Sequence, residues 1–180
     1  VDGHLFGRPL GLQKPALLVS APDRLAVDGL YLRLGAGSLQ AAGELGPGKA
    51  DLRADLLDLE LVPLARLSGL VLQEGRADAR LRLTGGPARP EATLELKLNE
   101  LSWPAAHEQG LAPAGIDLQA GIAGGRLRAE LSTQALGEEP LRVRATLPVE
   151  FAVQPFAFAL ADNAPLDGSL GGGIDLARLS

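Results

Sequence analysis

The sequence predicts an all-β chain, built as one elongated antiparallel sheet. Apolar and polar residues alternate at period two over long stretches, most clearly in Gly75–Gly85 and Glu91–Asn99. Alternation of that kind gives a strand one dry and one wet face. Gly- and Pro-rich turns recur at the spacing of antiparallel hairpins. The apolar content is 46% but the aromatic content only 3%. A thin layer of Leu, Val and Ala therefore recurs along the chain, where a compact sandwich centres on several aromatic residues.

The elements follow in order. Residues 1–22 are weakly patterned and punctuated by Pro9, Pro15 and Pro22; Leu17-Leu18-Val19 fits an edge strand, where proline is tolerated nearby. Residues 24–34 alternate, with a phase flip at Gly29 that fits a bulge or a bend. Gly35-Ala36-Gly37 turns into a strand over 38–45, and Gly46-Pro47-Gly48 turns again. Lys49–Leu56 places Leu52, Ala54 and Leu56 on one face, and the phase flips once more at Leu57. Pro63 is suited to the first turn of a short helix, from Leu64 to about Leu67, closed by Gly69.

The hairpin of Gly75–Gly85 and Glu91–Asn99 comes next, joined through Gly86, Pro87 and Pro90. Trp103-Pro104 opens a loop through Gly110, Pro113 and Gly115. Strands are then expected at Ile116–Ile122, Leu127–Leu131 and Leu141–Leu147, with turns at Gly124-Gly125 and from Gly137 to Pro140. A Pro-interrupted strand carries Phe151, Val153, Phe156, Phe158 and Leu160. That makes about ten strands with one or two short helical turns, a sheet roughly 50 Å long at its usual strand spacing. Residues 1–180 read as a single β-rich segment of a longer repetitive protein. In residues 170–180, Asp175-Leu176-Ala177-Arg178-Leu179 repeats the start at Asp58-Leu59.

Composition excludes several function classes. A net charge of −5 and a pI near 5.1 leave no basic stripe for a nucleic acid. The arginines at Arg76, Arg80 and Arg82, or at Arg126, Arg128, Arg142 and Arg144, occupy alternate strand positions and read as a solvated face. There is no Cys, hence no disulfide framework. There is no Met, even at position 1, so the chain is expected to be a processed form or an excised segment. No apolar run is long enough to span a bilayer, and any anchor is expected outside these residues.

Candidate chemistry is sparse. His4 and His107 lack ligand spacing, and no metal or cofactor is expected. Gly35-Ala36-Gly37 lacks the rest of a dinucleotide loop. Gly171–Asp175 has the wrong spacing for a calcium roll. Ser20, Ser38, Ser68 and Ser132 stand in no nucleophile elbow. Asp51, Asp55, Asp58, Glu138 and Glu139 read as charges that keep an exposed sheet from aggregating. No catalytic residues are expected, and the chain is not expected to be an enzyme.

What remains is the apolar stripe. It reads either as an ordinary sandwich core or as a groove for acyl chains, in which each buried methylene contributes about 0.8 kcal/mol. The predicted lining is Leu81, Leu83, Leu94, Leu96, Leu98, Ile116, Leu118, Leu127, Leu131, Leu141, Val143 and Phe158.

The order of these motifs resembles the periplasmic region of the TamB family, subunits of the translocation and assembly module that are related to AsmA-like proteins. The likeness rests on Asp58-Leu59-Glu60-Leu61-Val62-Pro63-Leu64, on Gly75-x-Ala77-x-Ala79-x-Leu81-x-Leu83-x-Gly85, and on Leu94-x-Leu96-x-Leu98. Gly115-Ile116-Asp117-Leu118-Gln119-Ala120, Gly125-Arg126-Leu127 and Ala145-Thr146-Leu147-Pro148 add to it. It covers most of residues 24–180; the first 22 match weakly. The resemblance implies a sheet curled into a half-pipe (a β-taco) with an apolar interior groove. It implies a periplasmic protein of a Gram-negative bacterium, anchored in the inner membrane, with an outer-membrane barrel partner of the Omp85 type (TamA-like). It also implies phospholipid transport and outer-membrane biogenesis without catalysis. The alternative is a chaperone or docking module for unfolded barrel or autotransporter precursors by β-augmentation. A secreted β-helix or adhesin segment, with a closed dry core, is the third possibility.

Overall fold

The structure, a computed structural model, describes residues 2–5, 8–134, 140–153, 155–160 and 167–172. Thirteen strands run in chain order: β1 (Asp2–Leu5), β2 (Arg8–Leu12), β3 (Leu17–Ala21), β4 (Arg24–Leu34), β5 (Gly37–Gly46), β6 (Lys49–Glu60), β7 (Glu74–Gly86), β8 (Arg89–Ser102), β9 (Ala114–Ala123), β10 (Arg126–Gln134), β11 (Leu141–Val153), β12 (Phe156–Leu160) and β13 (Asp167–Gly171). Two short helices, α1 (Val62–Leu67) and α2 (Pro104–Glu108), join β6 to β7 and β8 to β9. All strand pairs among the described residues are antiparallel. They form one sheet in the order β1-β2-β4-β5-β6-β7-β8-β9-β10-β11-β12, whose ends do not meet, so it is no closed barrel.

Both ends are built alike. The outer edge of β4 is shared by two short strands, β2 against Leu32–Leu34 and β3 against Arg24–Asp28. The outer edge of β11 is likewise divided between β13 and β12. The expectation of about ten strands is therefore low among the described residues. The edge strand expected at Leu17-Leu18-Val19 is β3, but β1 and β2, in the weakly patterned residues 1–22, and β13 were not expected. The aromatic stretch is not one strand but a hairpin, β11 turning at Pro155 into β12. The expected turn through Gly137, the carboxylates Glu138 and Glu139, and the repeat at Asp175 lie outside the described residues.

The two phase flips are bulges. Register shifts between Val27 and Leu30, with Gly29 at φ +62°, and again between Leu56 and Leu59, with Asp58 at φ +54°. A third bulge, between Leu98 and Leu101, puts Glu100 at φ +55°. Arg76 on β7, between the two bulged strands β6 and β8, binds both acids. Its Nη1 donates to Asp58 Oδ1, and its Nε lies 3.3 Å from Glu100 Oε2. The backbone N–H of Asp58 donates to Asp78 Oδ1 at 2.9 Å.

Each of these two bulges leads into a helix. Pro63 starts α1 as expected, but the segment after Trp103, expected as loop, contains α2. Both connections bury one alanine, Ala65 or Ala106, and both pass through a left-handed glycine, Gly69 or Gly110. In both, a leucine N–H returns to that alanine's carbonyl: Leu70 to Ala65 and Leu111 to Ala106, each at 2.9 Å. The repeat lies in backbone geometry more than in side chains.

Left-handed geometry costs a non-glycine residue about 1–2 kcal/mol. Asp tolerates it better than Glu because its short side chain bonds locally. The exposed pair of Glu100 with Arg76 is screened by solvent and returns little. Glu100→Gly is therefore expected to stabilise the sheet, raising Tm by roughly 2–4 °C for each ~1 kcal/mol relieved. Thermal melting followed by circular dichroism checks it, and a lower Tm would mean that Arg76 bridging outweighs the strain.

No large side chain is fully buried among the described residues. The buried apolar set is Ala50, Ala65, Ala77, Leu83, Ala106, Ala114 and Val149, mostly alanines, as expected where a sheet has no second layer against it.

The apolar face as candidate functional site

Ladder register carries single side chains straight across the sheet. Leu96 on β8 faces Ala79 on β7 and Leu118 on β9; Leu118 faces Leu131, then Val143, then Leu170 on β13. In the other direction Ala79 faces Leu56, then Leu39, Leu32 and Leu12. This row crosses ten strands without a polar residue, a path of roughly 40 Å at ~4.8 Å per strand.

Parallel rows flank it. One contains Leu59, Ala77, Leu98, Ile116, Thr133 and Leu141. On the other side come Ala54, Leu81, Leu94, Ala120 and Ala129, and beyond them Leu52, Leu83, Ala92, Ile122 and Leu127. Phe158 faces Phe151, which follows Leu147 on the same side of β11. All twelve predicted lining residues thus share one face. Thr133 is the polar exception in these rows, half satisfied by its hydroxyl donating to the Gln134 carbonyl at 3.4 Å.

Leu83 is buried, Val143 and Phe158 are exposed, and the other nine are half-buried. Leu32, Leu39 and Leu56 belong to the same face although the predicted lining omitted them. Their alternation was visible in the sequence, but only the register across the Gly29 and Asp58 bulges joins them to Leu96.

The opposite face is a ladder of charges. Arg80 on β7 lies 3.8 Å from Asp55 on β6 and 3.7 Å from Glu95 on β8. Lys97 pairs with Asp117, and Arg144 Nη2 donates to Glu130 Oε1 at 3.0 Å. The hydrogen bond from Arg144 holds the Glu130 carboxyl below its ordinary range, and Lys49 does the same for Asp51. These exposed pairs add little stability but fix register, since a slip by one residue would put charges on the dry face. A shallow depression of about 410 Å³ lies on this face beside Glu95, Gln119, Arg128 and Glu130.

The two rims differ. One carries α1 and α2, the other the two-residue turns at 47–48, 87–88 and 124–125. At that second rim β11 changes partner. It pairs with β10 as far as Pro148 and with β12 from Val149 onward. Val149 N donates to the Gly125 carbonyl at 2.9 Å and Val153 N to the Pro87 carbonyl at 2.8 Å. The backbones of β11 and β8 come within 8 Å, although β9 and β10 separate them in the sheet. Val149 is only 3% exposed, and the Phe151 and Phe158 rings meet edge to face at 6.3 Å.

The short outer strands are also unusual. β3 (Leu-Leu-Val-Ser-Ala) and β12 (Phe-Ala-Phe-Ala-Leu) have no charged residue. Leu18 is 66% exposed and Phe156 77%. Among the described residues no group of His, Asp or Glu converges as a metal site, and no helix is long and apolar enough to cross a membrane. The side chains of His4 and His107 lie outside the described set. No protein-family model, curated protein or solved structure matches the chain.

Proposed function

We propose that this segment works without catalysis, holding lipid acyl chains against the apolar face of its sheet. The observation that carries the reading is the row through Leu96, apolar across ten strands with no second layer opposite it among the described residues. A stand-alone domain covers such a face, because about 25 cal/mol is forgone for each Å² left in water. A lipid tail is a suitable cover. It needs no polar partner, and Leu, Val and Ala offer contact along the row without fixing the tail at one place.

The finer shape belongs to this proposal. Strand twist, together with the approach of β11 to β8, favours a sheet curled into a half-pipe with the apolar rows inside. The resemblance to the TamB family supports a periplasmic setting in an inner-membrane-anchored protein, phospholipid delivery to the outer membrane, and a barrel partner of the Omp85 type. A second reading has its own observation. The uncharged, exposed strands β3 and β12 suit pairing with a strand of an unfolded barrel precursor by β-augmentation.

Site-specific photo-crosslinking in cells separates the readings. With the probe at Leu96, phospholipid adducts are expected; at Lys97, one residue along and on the charged face, none. Protein adducts to a barrel precursor at Leu96 would favour the second reading. No adduct at either position in folded protein would mean a sealed core and end the lipid proposal.

A further inference from the structure

We infer that Val149–Val153 of β11 and the strand β12 form a hinged end flap of the apolar face, pivoting at Pro148 and setting how fast acyl chains enter and leave at that rim. The inference rests on the lipid reading of the face.

The hinge is chemical. Proline has no N–H to give a ladder, and Pro148 falls where the outer edge of β11 passes from β13, paired as far as Thr146, to β12, paired from Val149. Beyond it one bond, from Val149 N to the Gly125 carbonyl, keeps the register with the β10 side, and the only strand paired with β11 among the described residues is then β12. Two backbone hydrogen bonds tie the flap to the rim: the amides of Val149 and Val153 donate to the Gly125 and Pro87 carbonyls, both at hairpin turns. The opposite rim has helices instead.

The flap also carries the right surface. Val149, Phe151 and Val153 alternate in phase with Val143 and Leu147, so they continue the dry face; Phe158 and Phe156 pair with Phe151 and Val153. Three of the chain's four phenylalanines sit here, and among the described residues the rows through Leu96, Leu98, Leu94 and Leu83 contain none. Bulky rings suit a stopper at a mouth, whereas the rows themselves are low and smooth. Val149 is packed down at the pivot, 3% exposed, but the outer strand of the flap is held lightly: Phe156 is 77% exposed and Leu160 55%, so little of its surface is lost from packing when it swings away. Segments with few buried apolar contacts open locally at free energies far below global unfolding.

The chain has no cysteine of its own, so Pro87→Cys with Val153→Cys gives one unambiguous crosslink across the 2.8 Å hydrogen bond. The same protein, reduced, is the control. The probe is a phospholipid with a fluorescent acyl chain, in vesicles of unlabelled phosphatidylethanolamine and phosphatidylglycerol. The oxidised form is expected to exchange the probe about tenfold more slowly than the reduced form, with equilibrium occupancy unchanged to within about twofold. Uptake at equal rates in both redox states would overturn the flap and leave the lipid reading standing. No uptake by either form would remove the lipid reading and the flap with it. Hydrogen exchange on the unsubstituted protein gives a second test. The Val149 and Val153 amides are expected to exchange at least about tenfold faster than the ladder amides of β8; equal protection would overturn the hinge.

Discussion

Leu96→Arg is expected to abolish acyl-chain capture while the sheet remains folded. Leu96 stands in the middle of the apolar row, between Ala79 and Leu118, and is half-buried. Its contribution to folding is therefore partial, about 1–2 kcal/mol. An arginine stem can keep some of that contact while its head reaches water. A tail lying on the row has no such escape. A guanidinium fixed within a hydrocarbon path costs roughly 2.5–3.5 kcal/mol on insertion scales, which is a loss in affinity on the order of 100-fold. Lys97→Leu on the opposite face adds no charge to the row and is expected to leave capture intact. Native mass spectrometry of purified protein reads retained lipid directly. Undiminished lipid on folded Leu96→Arg protein would mean that tails are held elsewhere, or not at all.

That experiment depends on a face that the sequence displays well. In β7 and β8 each apolar residue is followed by a polar one, and the structure puts Leu81, Leu83, Leu94, Leu96 and Leu98 on one side. The flips at Gly29 and Leu57 were legible for the same reason, since a bulge is the way a strand changes phase without leaving its sheet. The rest was hidden where side-chain pattern stops carrying the information. α2 occupies a single turn after Trp103, and its likeness to α1 lies in a left-handed acid, a buried alanine and a left-handed glycine, none of which has a hydrophobic period. β3 and β12 are apolar without alternation. From sequence β12 merged with the end of β11, because Pro155 reads as a break in a strand and equally as a turn between two. Curvature is the least legible property. It depends on summed twist over many pairs and on where β11 changes partner at Pro148, and no residue type announces either.

Gly43→Ala is expected to split the sheet in two. Gly43 sits opposite Leu52 at φ +138°, a backbone region that L-residues rarely adopt. A Cβ placed there would lie 2.0 Å from the Asp51 carbonyl oxygen and 2.7 Å from the Leu52 Cα. Both obstacles are backbone, so neither can rotate away, and β5 must part from β6. Strain and lost ladder bonds together amount to about 3–5 kcal/mol, a large share of the 5–15 kcal/mol typical of a whole domain. By contrast, Gly86→Ala meets open space and is expected to be near neutral. The consequence follows from architecture. In a single layer each strand leans on its neighbours alone, as repeats do in a solenoid, so damage at one ladder need not spread. Hydrogen exchange on Gly43→Ala should show β4 and β5 losing protection while β7 to β10 keep theirs. Uniform loss throughout would point to a cooperative unit held by more than its ladders. If protection divides as expected, the Leu96 row still has β6 to β11 and should still capture lipid, whereas a crosslinker at Leu39 should lose its adduct. The face would then act strand by strand, its length set by how many strands stay paired.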